Sequence, residues 1–253
     1  MAADPRRTRN ATPLEQEDER TTVPERSMAV IPLRPADLSS TSTVGGRSIL
    51  SETLWALRRI PDIDLLALAL EEVDARDCLA QIQRPSQLRL EVTSTYPSRW
   101  QAILAAVRLH PGIDLVLLHE PNRPLVSAAR IRDLLLCAAT HGAAVAGIPV
   151  RSSVKRVADG RITETVPREP LHIAQGPWAF RAERLLEALQ RVDRSTEPPK
   201  HELDLVMRGG IKVHLVEGHR FDVRIASRAD ARFLQLARQR QGSIQGGALP
   251  RVV

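Results

Sequence analysis

Residues 113–126 read IDLVLLHEPNRPLV. The run from Ile113 to Leu118 is apolar apart from Asp114, and turn residues follow it. A continuous apolar run of this length is the mark of a strand buried on both faces, as in the middle of a parallel sheet. Just before it, SRWQAILAAVRL (98–109) has amphipathic helical spacing, and His110-Pro111-Gly112 ends that helix. Just after it, Pro121 and Pro124 mark a loop. Ser127 then opens a helix over 128–140, and His141-Gly142 closes it. AAVAGIPV (143–150) is a second buried strand. Strands alternating with helices in this way predict an α/β chain with a mostly parallel sheet.

The same alternation extends in both directions. Towards the N-terminus come a strand at 28–33 (MAVIPL), a helix at 48–59, a strand at 63–70 (IDLLALAL), a helix at 74–83 and a short strand at 88–93 (LRLEVT). Towards the C-terminus, residues 154–166 alternate around Asp159-Gly160, a pair suited to the positive φ angles of a two-residue hairpin turn. The segment 174–178 (AQGPW) leads into a helix at 181–192. Strands at 211–216 and 223–226 and a helix at 228–240 follow. The expected fold is a three-layer, Rossmann-like, mostly parallel sheet with a protruding β-hairpin arm at about 151–175. Residues 1–27 are polar, carry three prolines and read as a disordered tail. One domain then spans 28–240, and 241–253 is a flexible basic tail.

Composition narrows the function. The 253 residues hold 36 Lys plus Arg against 30 Asp plus Glu, a net charge of +6, which suits anionic ligands such as phosphates or nucleic acid. An arginine-rich genome would leave the same balance. No apolar run is long enough to cross a membrane, and no secretory signal opens the chain. Cys78 and Cys137 form no CxxC pair, which predicts buried thiols and a reducing, cytoplasmic setting. Glycine totals 13 residues, and none precedes Gly45. No glycine-rich phosphate loop can therefore follow the first strand. Walker, dinucleotide and nucleophile-elbow motifs are absent. Aromatics are 3%, too few for a base-stacking reader of single strands. Binding of DNA through basic charge alone is a further reading, although no helix shows a clustered basic face.

Ligands of open α/β sheets bind beyond the C-terminal ends of the strands. Glu120 and Arg123 follow the strand at 113–119 at such an end. A carboxylate beside a cation there could hold a divalent metal and an anion. On spacing alone an ordinary surface ion pair is the simpler account. Arg151, Ser152, Ser153, Lys155 and Arg156 could grip a phosphate, or could equally protect an exposed hairpin edge. Arg168 sits where the hairpin returns, and Arg224 follows another strand-like step. The seven histidines show no metal-ligand spacing and read as structural.

Together, HEPNRPLV (119–126), GAAVAGIPVRSSVKRV (142–157), TVPREPLHIAQGPWAF (165–180), LVEG (215–218) and DVRIASRAD (222–230) resemble the 2-C-methyl-D-erythritol 4-phosphate cytidylyltransferase family. The resemblance runs from about Met28 to Arg238. It implies a nucleotidyltransferase-like domain that transfers CMP from CTP to methylerythritol phosphate with Mg²⁺. It also implies a homodimer in which the hairpin arm reaches the neighbouring site; the residues themselves predict no membrane partner and speak against nucleic acid.

Carried over residue by residue, the metal-binding Asp of the family falls on Glu120, one methylene longer, which would also face the nucleotide. The Arg of the same motif is Arg123. The arm's substrate-contacting Thr becomes Ser153, and the Arg after the hairpin is Arg168. The late phosphate-binding Lys becomes Arg224. These four, Arg123, Ser153, Arg168 and Arg224, are the implied binders of the acceptor phosphate. The Arg and Ser of the family's Gly-Gly-x-x-Arg-x-x-Ser segment become Arg99 and Ala102, with Thr95 and Tyr96 in place of the glycines. The Thr and Gln of its Thr-Pro-Gln motif become Gly176 and Trp178.

The nucleotide loop departs most. Where the family has Ala-Ala-Gly-x-Gly-x-Arg and then a catalytic lysine, this chain reads Pro32-Leu33-Arg34-Pro35-Ala36-Asp37. Pro32 and Pro35 have no N–H to offer a phosphate. Arg34 would have to replace the lysine and Arg224 to assist, making these two the catalytic candidates. Loss of one such electrostatic contact typically costs about 10²–10³ in rate. The sequence therefore supports two readings: a divergent cytidylyltransferase of weak activity, or an inactive relative that binds a phosphorylated metabolite or pairs with an active paralogue.

Overall fold

The computed structural model describes residues 25–38, 43–44, 46–83, 89–193 and 199–244. In chain order the elements are β1 (Ser27–Leu33), α1 (Pro35–Leu38), β2 (Thr43–Val44), β3 (Arg47–Ser48), α2 (Ile49–Leu57), β4 (Leu65–Leu70), α3 (Ala75–Gln81), β5 (Leu90–Val92) and α4 (Arg99–Arg108). There follow β6 (Leu115–Leu118), α5 (Ala128–His141), β7 (Ala143–Pro149), β8 (Val154–Ala158), β9 (Arg161–Val166), β10 (His172–Arg181), α6 (Ala182–Asp193), α7 (Glu202–Arg208), β11 (His214–Glu217) and α8 (Arg228–Ile244).

Seven strands form one sheet in the order β11-β7-β10-β6-β1-β4-β5. All neighbours are parallel except β10, which runs antiparallel to both β6 and β7. This is the expected three-layer, mostly parallel sheet. Successive residues of each inner strand enter opposite cores, as a period of two demands. Met28, Val30, Val116 and Leu118 face the layer of α4, α6 and α7. Ala29, Ile31, Leu115 and Leu117 face α2 and α5. Serine caps set the helix starts: Ser48, Ser98 and Ser127 each accept a backbone N–H from the first turn of α2, α4 and α5. At the other end of α5, Gly142 takes φ 93°, where a side chain would be strained.

The hairpin arm forms as expected. Asp159 (φ 48°) and Gly160 (φ 76°) make its two-residue turn, and Ala158 pairs with Arg161. It grows directly out of β7 and β10, because Val150 N–H bonds to the Leu171 carbonyl at 3.0 Å. Both its strands are separate from the main sheet, and Val157 and Ile162 are exposed.

Several boundaries differ from the sequence reading. The segment at 172–181 is a full strand in the middle of the sheet rather than a lead into a helix, so the arm ends near residue 171. Gly176-Pro177 reads as a break because proline offers no ladder donor; the sheet absorbs it in a register shift between Gln175 and Trp178. Residues 223–226 form no strand, since the Ile225 N–H is committed to the Asn122 carbonyl at 2.9 Å. Helix α7 was not expected; the His201 side chain caps it by accepting from Asp204 N–H. Ser27, read as tail, is fully buried in β1, and α8 runs four residues into the expected C-terminal tail. The remainder of both tails, residues 1–24 and 245–253, lies outside the described residues, as do residues 39–42 and Gly45. Cys78 is buried and Cys137 half-buried, and burial pushes the Cys78 thiol up to about 11. No helix among the described residues is long and apolar enough to cross a membrane.

Leu117 lies at the centre of the sheet with no exposed surface. Leu117→Ala should destabilise the fold by about 2–5 kcal/mol. Urea denaturation would show this as a lower midpoint at an unchanged slope.

Candidate functional site

β1 is flanked by β4 on one side and β6 on the other, so the chain reverses direction across the sheet at this point. A crevice forms at the carboxyl ends of strands at such a reversal. Here it is a cleft of about 70 Å³ whose lining includes Pro32, Arg34, Asp37, Arg99, Glu120 and Arg224. Beside it lies a second cavity of about 250 Å³, reached past Asp37, Pro121 and Asn122.

The turn after β6 is built around His119 and Arg123. His119 is 1% exposed, and its Nε2 lies 3.0 Å from the Arg123 carbonyl oxygen. Burial holds the imidazole down at about pKa 4, so it is neutral and donates this bond. The bond closes the turn, with Glu120 in the cleft lining and Arg123 buried against it. Arg123 is itself buried. Its Nε donates to Glu120 Oε2, and its Nη1 donates to the Asp222 carbonyl at 3.0 Å. The Asp222 carboxylate lies 3.8 Å from the same Nη1. Burial pushes the Asp222 carboxyl up to about 6, and the Arg123 and Arg130 charges only partly offset that. On the far side, Arg224 Nη2 donates to Glu120 Oε1.

The loop carrying Asp222 and Arg224 is clamped by Gln175 at the start of β10. Its Nε2 donates to the His219 and Asp222 carbonyls at 3.0 and 3.2 Å, and its Oε1 accepts the His219 N–H at 3.0 Å. From outside, Ile225 packs with Ile49 and with Leu234 of α8. The next residue of β10, Gly176, backs directly onto the ion pairs. A Cβ there would stand 3.2 Å from Glu120 Oε2 and 3.4 Å from Arg123 Nε.

The residues singled out in the sequence divide clearly. Glu120, Arg123 and Arg224 meet in one charge-linked group. Pro32, Arg34 and Arg99 line the same cleft, but Arg34 pairs with Asp37 and Arg99 with Glu202 of α7. Ala102 has no exposed surface and packs in the core beneath α4, so it offers a ligand nothing. Ser153 and Arg168 sit on the exposed base of the arm, where Arg168 Nη1 donates to the Arg151 carbonyl. Asp222, Gln175 and Asp37 were missed. Asp222 and Gln175 lie in quoted segments, but only folding turns them towards Arg123.

Glu120 does not fit Mg²⁺ as this chain arranges it. Both carboxylate oxygens are taken by guanidinium groups, and two such charges repel a divalent cation. Among the described residues, no three His, Cys, Asp or Glu side chains are grouped to hold a metal.

A family model described as 2-C-methyl-D-erythritol 4-phosphate cytidylyltransferase matches residues 39–238. The chain belongs to the 2-C-methyl-D-erythritol 4-phosphate cytidylyltransferase family. A cytidylyltransferase of that name from Bacillus cereus strain ATCC 14579 is 29% identical over 184 residues, covering 72% of this chain and 81% of the relative. One from Bacillus mycoides strain KBAB4 is 27% identical over 188 residues, covering 74% and 83%. The crystal structure of the family enzyme from Thermus thermophilus superposes with a TM-score of 0.67 at 26% identity, covering 83% of this chain and 98% of that one. A synthase structure from Anaerococcus prevotii shares the fold at 0.73 and 21% identity, covering 85% and 96%. In this chain the cleft combines a proline-containing loop after β1 with a Glu–Gly pair at 120 and 176.

Two buried groups should give opposing pH dependences. Asp222 is protonated more readily folded than unfolded, so its contribution is greatest below the unfolded value near 3.9 and falls as pH rises to about 6. His119 is protonated less readily folded, so its contribution is full above about 6.5 and is lost as pH falls to about 4. Across pH 4–6 the two slopes oppose. Asp222→Asn removes the falling one, so its stability relative to wild type should climb through this window. Urea titrations at several pH values check it.

Proposed function

We propose that the protein is a cytidylyltransferase of isoprenoid precursor synthesis, joining CTP and methylerythritol phosphate, with the acceptor phosphate held between Arg123 and Arg224. One observation carries this reading: two arginines from distant segments converge on a single anion at the switch point of a cytidylyltransferase fold. An oxygen of the acceptor phosphate attacks the α-phosphorus in line. The new P–O bond forms as the α–β bridge breaks, and pyrophosphate leaves. Arg99 and the backbone at Pro32 would face the nucleotide. Ser153 and Arg168, exposed on the arm, suit a homodimer in which each arm completes the other copy's acceptor site. The expected setting is the cytoplasm.

The loop after β1 favours a second reading. It lacks glycine and lysine, Pro32 and Pro35 offer no N–H, and Arg34 is turned onto Asp37. A chain so built would keep phosphate binding while losing nucleotide turnover, as an inactive relative that senses a metabolite or pairs with an active paralogue.

Pyrophosphate release from CTP, Mg²⁺ and methylerythritol phosphate decides between them. Under the first reading turnover is measurable, and Arg224→Ala lowers kcat/KM by about 10²–10³. Binding of methylerythritol phosphate without turnover or CTP binding would establish the second.

A further inference from the structure

Three arginines, Arg34, Arg99 and Arg224, line the cleft, a fourth, Arg123, is buried against Glu120, and each of the four is turned onto a carboxylate of the chain itself. Arg34 pairs with Asp37, Arg99 with Glu202, and Arg123 and Arg224 share Glu120. Glu120 differs from the others because one carboxylate serves two guanidinium groups, one at each oxygen. Two planar cationic forks around one anion are also what recognises a phosphate. The carboxylate therefore sits where a phosphate would.

Its reach depends on Gly176. A Cβ at that position would stand 3.2 Å from Glu120 Oε2 and 3.4 Å from Arg123 Nε, so the ion pair would have to give by a few tenths of an ångström to admit it. The long acidic side chain at 120 and the absent side chain at 176 fit as a pair.

We propose that Glu120 is an internal stand-in for a ligand phosphate: a phosphate monoester binds between Arg123 and Arg224 by displacing the Glu120 carboxylate, and Gly176 lets that carboxylate occupy the site. The proposal rests on the phosphate site of the preceding reading. The two arginines are unequal in a way that suits exchange. Arg123 is buried and anchored from behind by the Asp222 carbonyl, so it holds its position. Arg224 is 54% exposed and can follow the incoming anion. Affinity is then set by competition, since occupancy by the carboxylate lowers the fraction of sites competent to bind. No divalent cation at Glu120 is required.

Calorimetric titration of the full chain with inorganic phosphate, in buffer containing EDTA, tests this. Glu120→Gln should bind phosphate about tenfold more tightly than wild type. Glu120→Asp keeps the charge but is too short to bridge both arginines. Gly176→Ala keeps the charge but crowds the carboxylate. Both should bind about threefold more tightly or better. If Glu120→Gln does not fold in a thermal melt, these two variants decide. Weaker phosphate binding by Glu120→Gln, no gain in Glu120→Asp and Gly176→Ala, or wild-type binding that needs Mg²⁺, would each overturn the proposal. Arg224→Ala separates the two levels. If it binds phosphate as wild type does, the phosphate site and its displacement both fall. If it loses binding while Glu120→Asp shows no gain, only the displacement falls.

Discussion

A buried guanidinium must satisfy its donors within the protein, and Arg123 does so by drawing two distant segments together. Its Nε takes the Glu120 carboxylate and its Nη1 the Asp222 carbonyl, while its own carbonyl receives His119. The end of β6 and the loop before α8 are thereby fixed to each other. Gln175 ties the start of β10 to the same loop through three hydrogen bonds. The cleft exists because these ties hold its walls in place. A lysine at 123 would carry the charge but could not fork towards two partners.

The charges of the cleft face inward onto one another. Arg34, Arg99 and Arg224 are the cations among its described lining residues, and each is ion-paired within the chain. The opposite wall, after β1, lacks backbone donors at Pro32 and Pro35 and lacks a lysine. The two walls differ in what they present: Glu120 and Arg224 stand on one, and Pro32 and Arg34 on the other. Gly176 leaves room beside Glu120, since a Cβ there would stand 3.2 Å from its Oε2.

Much of the fold was legible in the sequence. Apolar runs such as 63–70 and 113–119 announced strands of the parallel sheet, and the helices between them were bounded by Ser, Pro and Gly at their ends. Asp159-Gly160 announced the arm. The errors share a cause. At 172–181 a Gly-Pro pair hid a central strand, because the register shift that accommodates proline is a property of two neighbouring strands. At 223–226 β-branched residues suggested a strand, but their backbone is used by Asn122. Around the site, Glu120, Arg123 and Arg224 could be named from their place after strands and from the family pattern. Asp222 and Gln175 could not, since nothing in their local spacing predicts that they face Arg123. Ala102 matched a motif position yet lies beneath the surface.

The sequence by itself determined the class of fold, the parallel core, the hairpin and the missing glycines before Gly45, because these follow from periodicity, turn chemistry and composition along the chain. Only the tertiary structure decided that Glu120 bridges two arginines, that His119 is buried and neutral, and that Gly176 makes room for the bridge. Those are outcomes of distance and burial between segments as much as 104 residues apart. Electrostatics in a low-dielectric cleft depends on such distances, and local sequence does not encode them.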